Sequence, residues 1–319
     1  MLNATFSIRD YHEEDEKDQA DIFNKVMIEI DPNILPTTPE EIRIRNPIYG
    51  SLRIGYEYGS ENTKFLEHSQ KGIVGYAECY GRLGSYNLHY PLILRKYRSE
   101  ETLNLLFKAN YDLARSKNAN RIHSTYNSKY EEIHEFLRNQ KTAPIKSINE
   151  NRRLVIQTDR LNYQLTGFKF VSFTPNKIGE LIDFRYSKEG IVGRDLSKEE
   201  LYLGFESGKY SPENSTLVYK NDTLLAWWSV GINNPPYDYD KLLKYSIGVL
   251  NELAIDTNYE NLTELRKATF KAGYKFLKTK EIPEFRIWAS CEGQFYKESE
   301  KYGFSPTGEG EFEYIYEDN

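Results

Sequence analysis

The sequence predicts two successive α/β domains, each built on a mixed sheet with helices on both faces. Three observations lead there. An order of strand, helix, hairpin, strand, helix, strand, helix and strand runs through the first half and returns in the second. The repeat length is about 160 residues, far beyond a solenoid unit and suited to duplication of a whole domain. Hydrophobic residues make up 39% and charged residues 28% of the 319, enough for each half to bury a core. The expected domains are residues 1–160 and 161–319.

In the first half, Phe6 to Arg9 reads as a strand, and an acidic run after it favours a helix N-terminus. Ile22, Phe23, Val26 and Ile30 then recur at helical spacing. Lys64 to Ser69 and Ile73 to Tyr80 form a hairpin pattern around Gln70-Lys71-Gly72, followed by a strand from Asn87 to Leu94. Ser99 is placed to cap a helix whose inner face carries Leu103, Leu106, Phe107 and Asn110. A strand at Arg121 to Tyr126, a helix at Tyr130 to Asn139 and a strand at Arg153 to Gln157 complete the half.

The second half repeats the order. A strand at Lys169 to Phe173 precedes a helix at Lys177 to Tyr186, and Ser215 to Lys220 pairs with Leu224 to Val230 across Asn221-Asp222. Adjacent Trp227 and Trp228 must face opposite sides of that strand. The loop Asn233 to Tyr239 is either a plain connection or a substrate lid. Then come a strand at Val249 to Asp256, a helix at Leu262 to Leu277, a strand at Phe285 to Ser290, a helix at Gln294 to Tyr302 and a last strand at Phe312 to Tyr316.

Charge and cysteine usage narrow the partners. The net charge is −6; residues 1–160 carry 23 basic and 23 acidic side chains, residues 161–319 carry 19 and 25. Neither half has the basic excess that binding a phosphate backbone requires, so nucleic acid is not expected as a partner. No stretch approaches the roughly 20 apolar residues that span a bilayer, and no membrane association is expected. Cys79 and Cys291, one per half, exclude a disulfide framework and point to the cytoplasm. All five histidines lie in the first half without metal-ligand spacing, so no metal is expected.

The end of the second half narrows the fold. Ile287-Trp288-Ala289-Ser290, Phe295-Tyr296-Lys297 and Tyr302-Gly303-Phe304, with Glu252 to Asp256 and Tyr259 upstream, resemble the closing signature and fourth strand of the GNAT family of acyl-CoA-dependent N-acyltransferases. Ile93 to Arg98 is similar to the exit of the same strand in the first half. The resemblance implies two tandem domains, each with a mostly antiparallel twisted sheet, and acetyl-CoA as acyl donor to a small-molecule or peptide amine.

Glycines in the family's cofactor loop let successive N–H groups and a helix N-terminus cradle a pyrophosphate. Here the loop after Arg98 has Ser99, Glu101 and Leu103 where they would fall, and the loop after Tyr259 has Asn261, Thr263 and Leu265. Both loops are degenerate, and both also read as capped helix starts, the second as an Asn261-x-x-Glu264 capping box. By resemblance, Leu253, Ile255, Tyr259, Asn261, Leu262 and Thr263 are the cofactor-binding positions.

Two residues carry the expected chemistry. Tyr296 occupies the position of the acid that protonates the departing thiolate. Glu252 interrupts an apolar strand and is the expected general base, its alternatives being a solvent-facing carboxylate or an ion pair with a Lys or Arg. Tyr90 stands at the equivalent offset in the first half, so that half is expected to be scaffold and the second catalytic. Two other readings compete. One is a protein that keeps the fold for binding and has lost the cofactor. The other is a tandem relative using an aminoacyl-tRNA donor, against which the acidic balance counts.

Overall fold

The computed structural model describes residues 6–43, 56–57, 62–82, 85–187, 189–193, 196–234 and 245–317. Residues 235–239 of the Asn233 to Tyr239 loop lie outside that set. Two compact units emerge, Met1–Asn151 with Glu309–Asn319, and Arg152–Gly308.

The first unit contains β1 (Phe6–Asp10), α1 (Glu16–Ile30), β2 (Tyr56–Glu57), β3 (Thr63–His68), β4 (Gly72–Arg82), β5 (Ser85–Leu88) and β6 (Leu92–Ile93). After them come α2 (Glu100–Ser116), β7 (Arg121–Asn127), α3 (Glu131–Asn139) and the start of β8 (Ile145–Gln157). Pairing is antiparallel from β1 through β3 and β4 to β5, then parallel between β5 and β7. Ser99 caps α2: its Oγ accepts from Thr102 N at 3.2 Å, while Thr102 Oγ1 accepts from Ser99 N at 3.0 Å. Leu106, Phe107 and Asn110 are buried on the inner face.

The last strand, β15 (Ser305–Tyr316), returns to the first unit from Glu309 onward and pairs antiparallel with β7. Tyr314 and Tyr316 sit in that unit's core. Tyr316 OH donates to Ser124 Oγ at 2.8 Å, and Tyr111 OH to the Glu317 carbonyl at 2.9 Å. The expected division at residue 160 thus differs from the observed one at 151 and 309. Alternation tells which side chains of a strand face a core, but not which of two cores receives them.

His123 on β7 gives the first unit a pH response. Burial pushes its imidazole down to about 4, against Glu313, which raises it, and aided by Arg121, which lowers it. Burial lowers His134 as well. The unfolded chain binds the His123 proton near 6.5. The contribution is therefore whole above pH 6.5 and declines as pH falls from 6.5 to 4, by about 3 kcal/mol at most. A His123→Gln variant should lose less melting temperature over that window than the parent does; an unchanged profile would assign the loss elsewhere.

The second unit contains β9 (Phe168–Ser172), α4 (Ile178–Ser187), β10 (Ile191–Gly193), α5 (Lys198–Glu206), β11 (Ser215–Lys220) and β12 (Thr223–Asn233). The series continues with β13 (Ile247–Asp256), α6 (Leu262–Thr279), β14 (Glu284–Ser290) and α7 (Gln294–Lys297). Its strands lie in the order β9-β11-β12-β13-β14, antiparallel except for the last pair. Asn221 and Asp222, with φ of +50° and +58°, form the two-residue turn of the β11–β12 hairpin. The helix expected from Gln294 to Tyr302 is α7 followed by a 3₁₀ turn over Ser299–Tyr302.

Trp227 and Trp228 do face opposite sides. Trp227 packs against Phe173 and Tyr210, and Trp228 against Phe270 and Phe285. α6 approaches β12 closely at Gly273, where a Cβ would stand 2.7 Å from Trp228 Nε1 and 2.8 Å from Val230 Cγ2. Gly273→Val is therefore expected to cost about 1–3 kcal/mol by overpacking. Urea unfolding should show a lower midpoint at unchanged slope.

Candidate active site

β13 and β14 are parallel, yet the described residues pair only as Gly248 with Phe285 and Val249 with Arg286. Beyond those pairs the strands part, and a cavity of about 270 Å³ is lined by their separated ends. β13 contributes Leu250, Leu253 and Ile255, and β14 contributes Ile287, Trp288, Ala289 and Ser290. A bulge explains the β13 set. Ser229 of β12 faces Glu252 and Val230 faces Leu250, which leaves Asn251 as the extra residue. Alternation restarts there, so Leu250 and Leu253 reach the same cavity although three positions apart.

One face of α6 supplies Arg266, Thr269 and Phe270, at the i, i+3, i+4 spacing that brings helical side chains together. α7 adds Phe295 and Tyr296, β12 adds Trp228, and β10 adds Val192. The wall's polar groups are few and partly engaged. Thr269 Oγ1 donates to the Leu265 carbonyl at 2.8 Å. Arg266 donates to Tyr302 OH at 3.2 Å and lies 3.7 Å from the Glu298 carboxylate.

β12 pairs along the length of β13, so the other edge of β13 is the one that β14 leaves as it diverges. β10 takes that edge, with Ile191 opposite Asp256, Val192 opposite Ile255 and Gly193 opposite Ala254. Gly193, at φ +149°, has room for no side chain: a Cβ would fall 2.1 Å from the Leu253 carbonyl oxygen. The Gly190 carbonyl accepts from Thr257 N at 2.9 Å and from Thr257 Oγ1 at 2.6 Å, fixing the strand's start.

The expected site residues separate into two groups. Tyr296, Leu253 and Ile255 line the cavity. Tyr259, Asn261, Leu262 and Thr263 do not. Tyr259 lies under the Lys220 ammonium at 5.6 Å, Leu262 packs beside Leu265 and Ala268, and Thr263 is exposed. Asn261 caps α6, its Oδ1 accepting from Glu264 N at 3.1 Å. The capping box is half made, because Glu264 Oε2 accepts from Lys220 Nζ at 3.1 Å instead.

Glu252 is 5% exposed and accepts from Lys209 Nζ at 2.6 Å. The ion-pair alternative is the one observed. Alternation places Glu252 with Ala254, which packs among Trp227 and Phe173, on the sheet face opposite Leu253 and Ile255. Tyr296 and Glu252 therefore do not share one cavity.

An acyl thioester fits this lining at its hydrocarbon end. The start of α6 suits an anion less well, since Glu264 N is already bonded and the Glu264 carboxylate stands in the first turn. Among the described residues no cluster of His, Cys, Asp and Glu could hold a metal ion. No helix of the described residues is long and apolar enough to cross a membrane.

Side chains bridge the corresponding strands of the first unit. β5 and β7 pair in parallel at Ser85–Arg121, Tyr86–Ile122 and Asn87–His123. Past that point Ser124 Oγ donates to the Leu88 carbonyl at 2.8 Å, and Tyr126 OH accepts from Tyr90 N at 2.5 Å. Tyr90 is 1% exposed, and its OH donates to Glu132 at 3.1 Å. Arg98, the basic residue at that strand's exit, donates to Glu132 and Glu29, each at 2.9 Å.

Solved structures share this architecture over nearly the whole chain. A GCN5-related N-acetyltransferase from Sphaerobacter thermophilus superposes with a TM-score of 0.62 at 11% identity, over 97% of this chain and 95% of its own. A tandem GNAT protein from the clavulanic acid biosynthesis pathway gives 0.57 at 12% identity, over 98% of both chains. Saccharomyces cerevisiae N-myristoyltransferase, solved with bound myristoyl-CoA, gives 0.53 at 12% identity, over 99% of this chain and 79% of its own. The chain thus shares the fold of these proteins. No protein-family model matches it, and no curated protein does.

Proposed function

We propose that the protein is an acyl-CoA-dependent N-acyltransferase whose second unit is catalytic and whose first unit is scaffold. One observation carries this reading. The parted parallel strands of the second unit enclose an open apolar cavity with Tyr296 on its wall, whereas serine and tyrosine side chains of the first unit hydrogen-bond across the corresponding strands. The GCN5-related fold of the neighbours supports the same reaction class.

In the reaction, the amine nitrogen attacks the thioester carbonyl, the C–S bond breaks, and the products are an amide and a thiol. The amine gives up one proton and the thiolate takes one up. Tyr296 supplies the thiolate's proton from the cavity, and Glu252, on the opposite face of β13, takes the proton from the amine directly or through water. Leu253 and Ile255 hold the donor's apolar part, and the resemblance assigns Tyr259, Asn261, Leu262 and Thr263, which lie outside the cavity lining, to the rest of the donor. Acetyl-CoA is the reference donor, and the acceptor is a small-molecule or peptide amine. Cys79 and Cys291, one in each unit, suit a reducing cytoplasm.

A second reading, a binding protein that has lost the cofactor, is favoured by the glycine-free loop and by Lys209 on Glu252. Thiol release from acyl-CoA over a panel of amino sugars, polyamines and peptide N-termini separates the two. Amine-dependent release is the expected result. Its absence across the panel would leave the binding reading in place.

A further inference from the structure

We propose that the first unit carries a binding site of its own. A polar face of its sheet, at Gln19, Glu78, Asn87 and His89, holds the protonated amine of a small ligand. This site is independent of which unit transfers an acyl group.

Strand register builds the face. Tyr80 of β4 stands opposite Asn87 of β5, and Asn87 opposite His123 of β7, so the three side chains share one side of the sheet. Their neighbours Cys79, Leu88 and Ile122 point the other way, into the unit's core. Glu78, two residues before Tyr80, lies on the polar side, and its Oε1 accepts from His89 Nδ1 at 3.0 Å. The His89 ring meets the Tyr80 ring edge-on at 4.9 Å. Gln19 reaches the same carboxylate from α1, its Nε2 donating to Glu78 Oε2 at 3.3 Å.

The atoms left over here are mainly acceptors. Gln19 and Asn87 are 3% and 7% exposed, yet Gln19 Oε1 and Asn87 Oδ1 are buried without a hydrogen-bond partner. Glu16 Oε2, one turn before Gln19 on α1, is buried and unpartnered as well, while its Oε1 accepts from Tyr11 OH at 2.5 Å and Arg43 Nε at 3.3 Å. His123 Nδ1, opposite Asn87, has no partner either. Turning the Gln19 amide over gives no remedy, because the Glu78 carboxylate accepts and cannot donate to Oε1. With Nδ1 donating to Glu78, His89 presents Nε2 as a further acceptor. Each buried acceptor left unpaired costs about 1–3 kcal/mol, so several in one place call for a ligand rich in donors. A protonated amine brings three donors and a positive charge, which Glu78 complements. The Glu78 and His89 side chains, 31% and 33% exposed, form the mouth of the site.

All five histidines belong to the first unit, so imidazole proton–nitrogen NMR of the full chain reports on that unit alone. Methylammonium, putrescine and glucosamine are the probes, titrated at fixed pH against N-acetylglucosamine and sodium chloride as controls. At least one amine is expected to move the His89 resonance saturably, the signal being identified by its loss in His89→Gln. Gln19→Leu and Glu78→Gln should each weaken that amine about tenfold or more, the worth of one hydrogen bond to a charged group. No saturable shift with any amine, or an equal shift with either control, would overturn the proposal. So would unchanged affinity in both variants. The parent titrations need no variant, so misfolding of either one cannot decide the matter.

Discussion

Tyr296→Phe should lower turnover by roughly two to four orders of magnitude, the span by which a positioned proton donor accelerates transfer. It should leave the melting temperature nearly unchanged. Tyr296 is half-buried on the cavity wall, third in a four-residue helix, and its ring packs beside the core of Phe270 and Phe304. Phenylalanine preserves that ring and removes the hydroxyl alone. A packing role predicts an unchanged rate, because the apolar contacts survive. A role in protonating the thiolate predicts loss at the chemical step, and donors with a more acidic thiol should recover part of it. Turnover within threefold of the parent would remove Tyr296 from the mechanism.

Glu252→Gln should reduce turnover at least tenfold and flatten the acid side of the pH–rate profile, because glutamine has no proton to lose. The same substitution takes the counter-ion from Lys209, whose ammonium is bound at 2.6 Å. That ammonium is 30% exposed and can re-enter water, so the stability cost should be about 1–2 kcal/mol rather than that of a fully buried pair. Lys209→Met separates the roles. If Glu252 accepts the amine's proton, Lys209→Met keeps an acid limb in the profile while losing more stability than Glu252→Gln, because it takes the Lys209 ammonium from a carboxylate 5% exposed. If the pair is structural only, both variants lower the melting temperature and neither changes the profile's shape.

Much of the fold is legible in the sequence, for identifiable reasons. The Asn221-Asp222 turn is visible because left-handed backbone favours these residues, and register follows from a two-residue loop. Ser99 and Asn261 mark helix starts because short polar side chains satisfy the free N–H groups there. The Ser197-x-x-Glu200 capping box that opens α5 carries the same signal. β10 could not be found that way. Three residues are too few for alternation, and their pairing depends on an edge of β13 that exists only after β14 diverges.

The site was legible in part. Leu253, Ile255 and Tyr296 are named by the resemblance to the GNAT family, and all three line the cavity. Arg266, Thr269 and Phe270 went unread although their spacing marks one helix face. Nothing in the sequence tells which face of α6 meets a cavity rather than a core. The bulge at Asn251 is equally silent, and it decides that Leu250 joins Leu253 while Glu252 turns to Lys209. Nor does the sequence reveal that Ser124 and Tyr126 of the first unit reach the Leu88 carbonyl and Tyr90 N–H across two strands.

The central claim is that the second unit's cleft receives an acyl-CoA despite its glycine-free loop. A thermal melt of the full chain over a range of CoA and acyl-CoA concentrations tests it most directly. Ligand at about 100 times its dissociation constant adds about 2.7 kcal/mol. At about 2–4 °C per kcal/mol for a unit of this size, the midpoint should rise saturably by several degrees. A midpoint that stays flat with CoA and with every acyl-CoA tried would contradict the account.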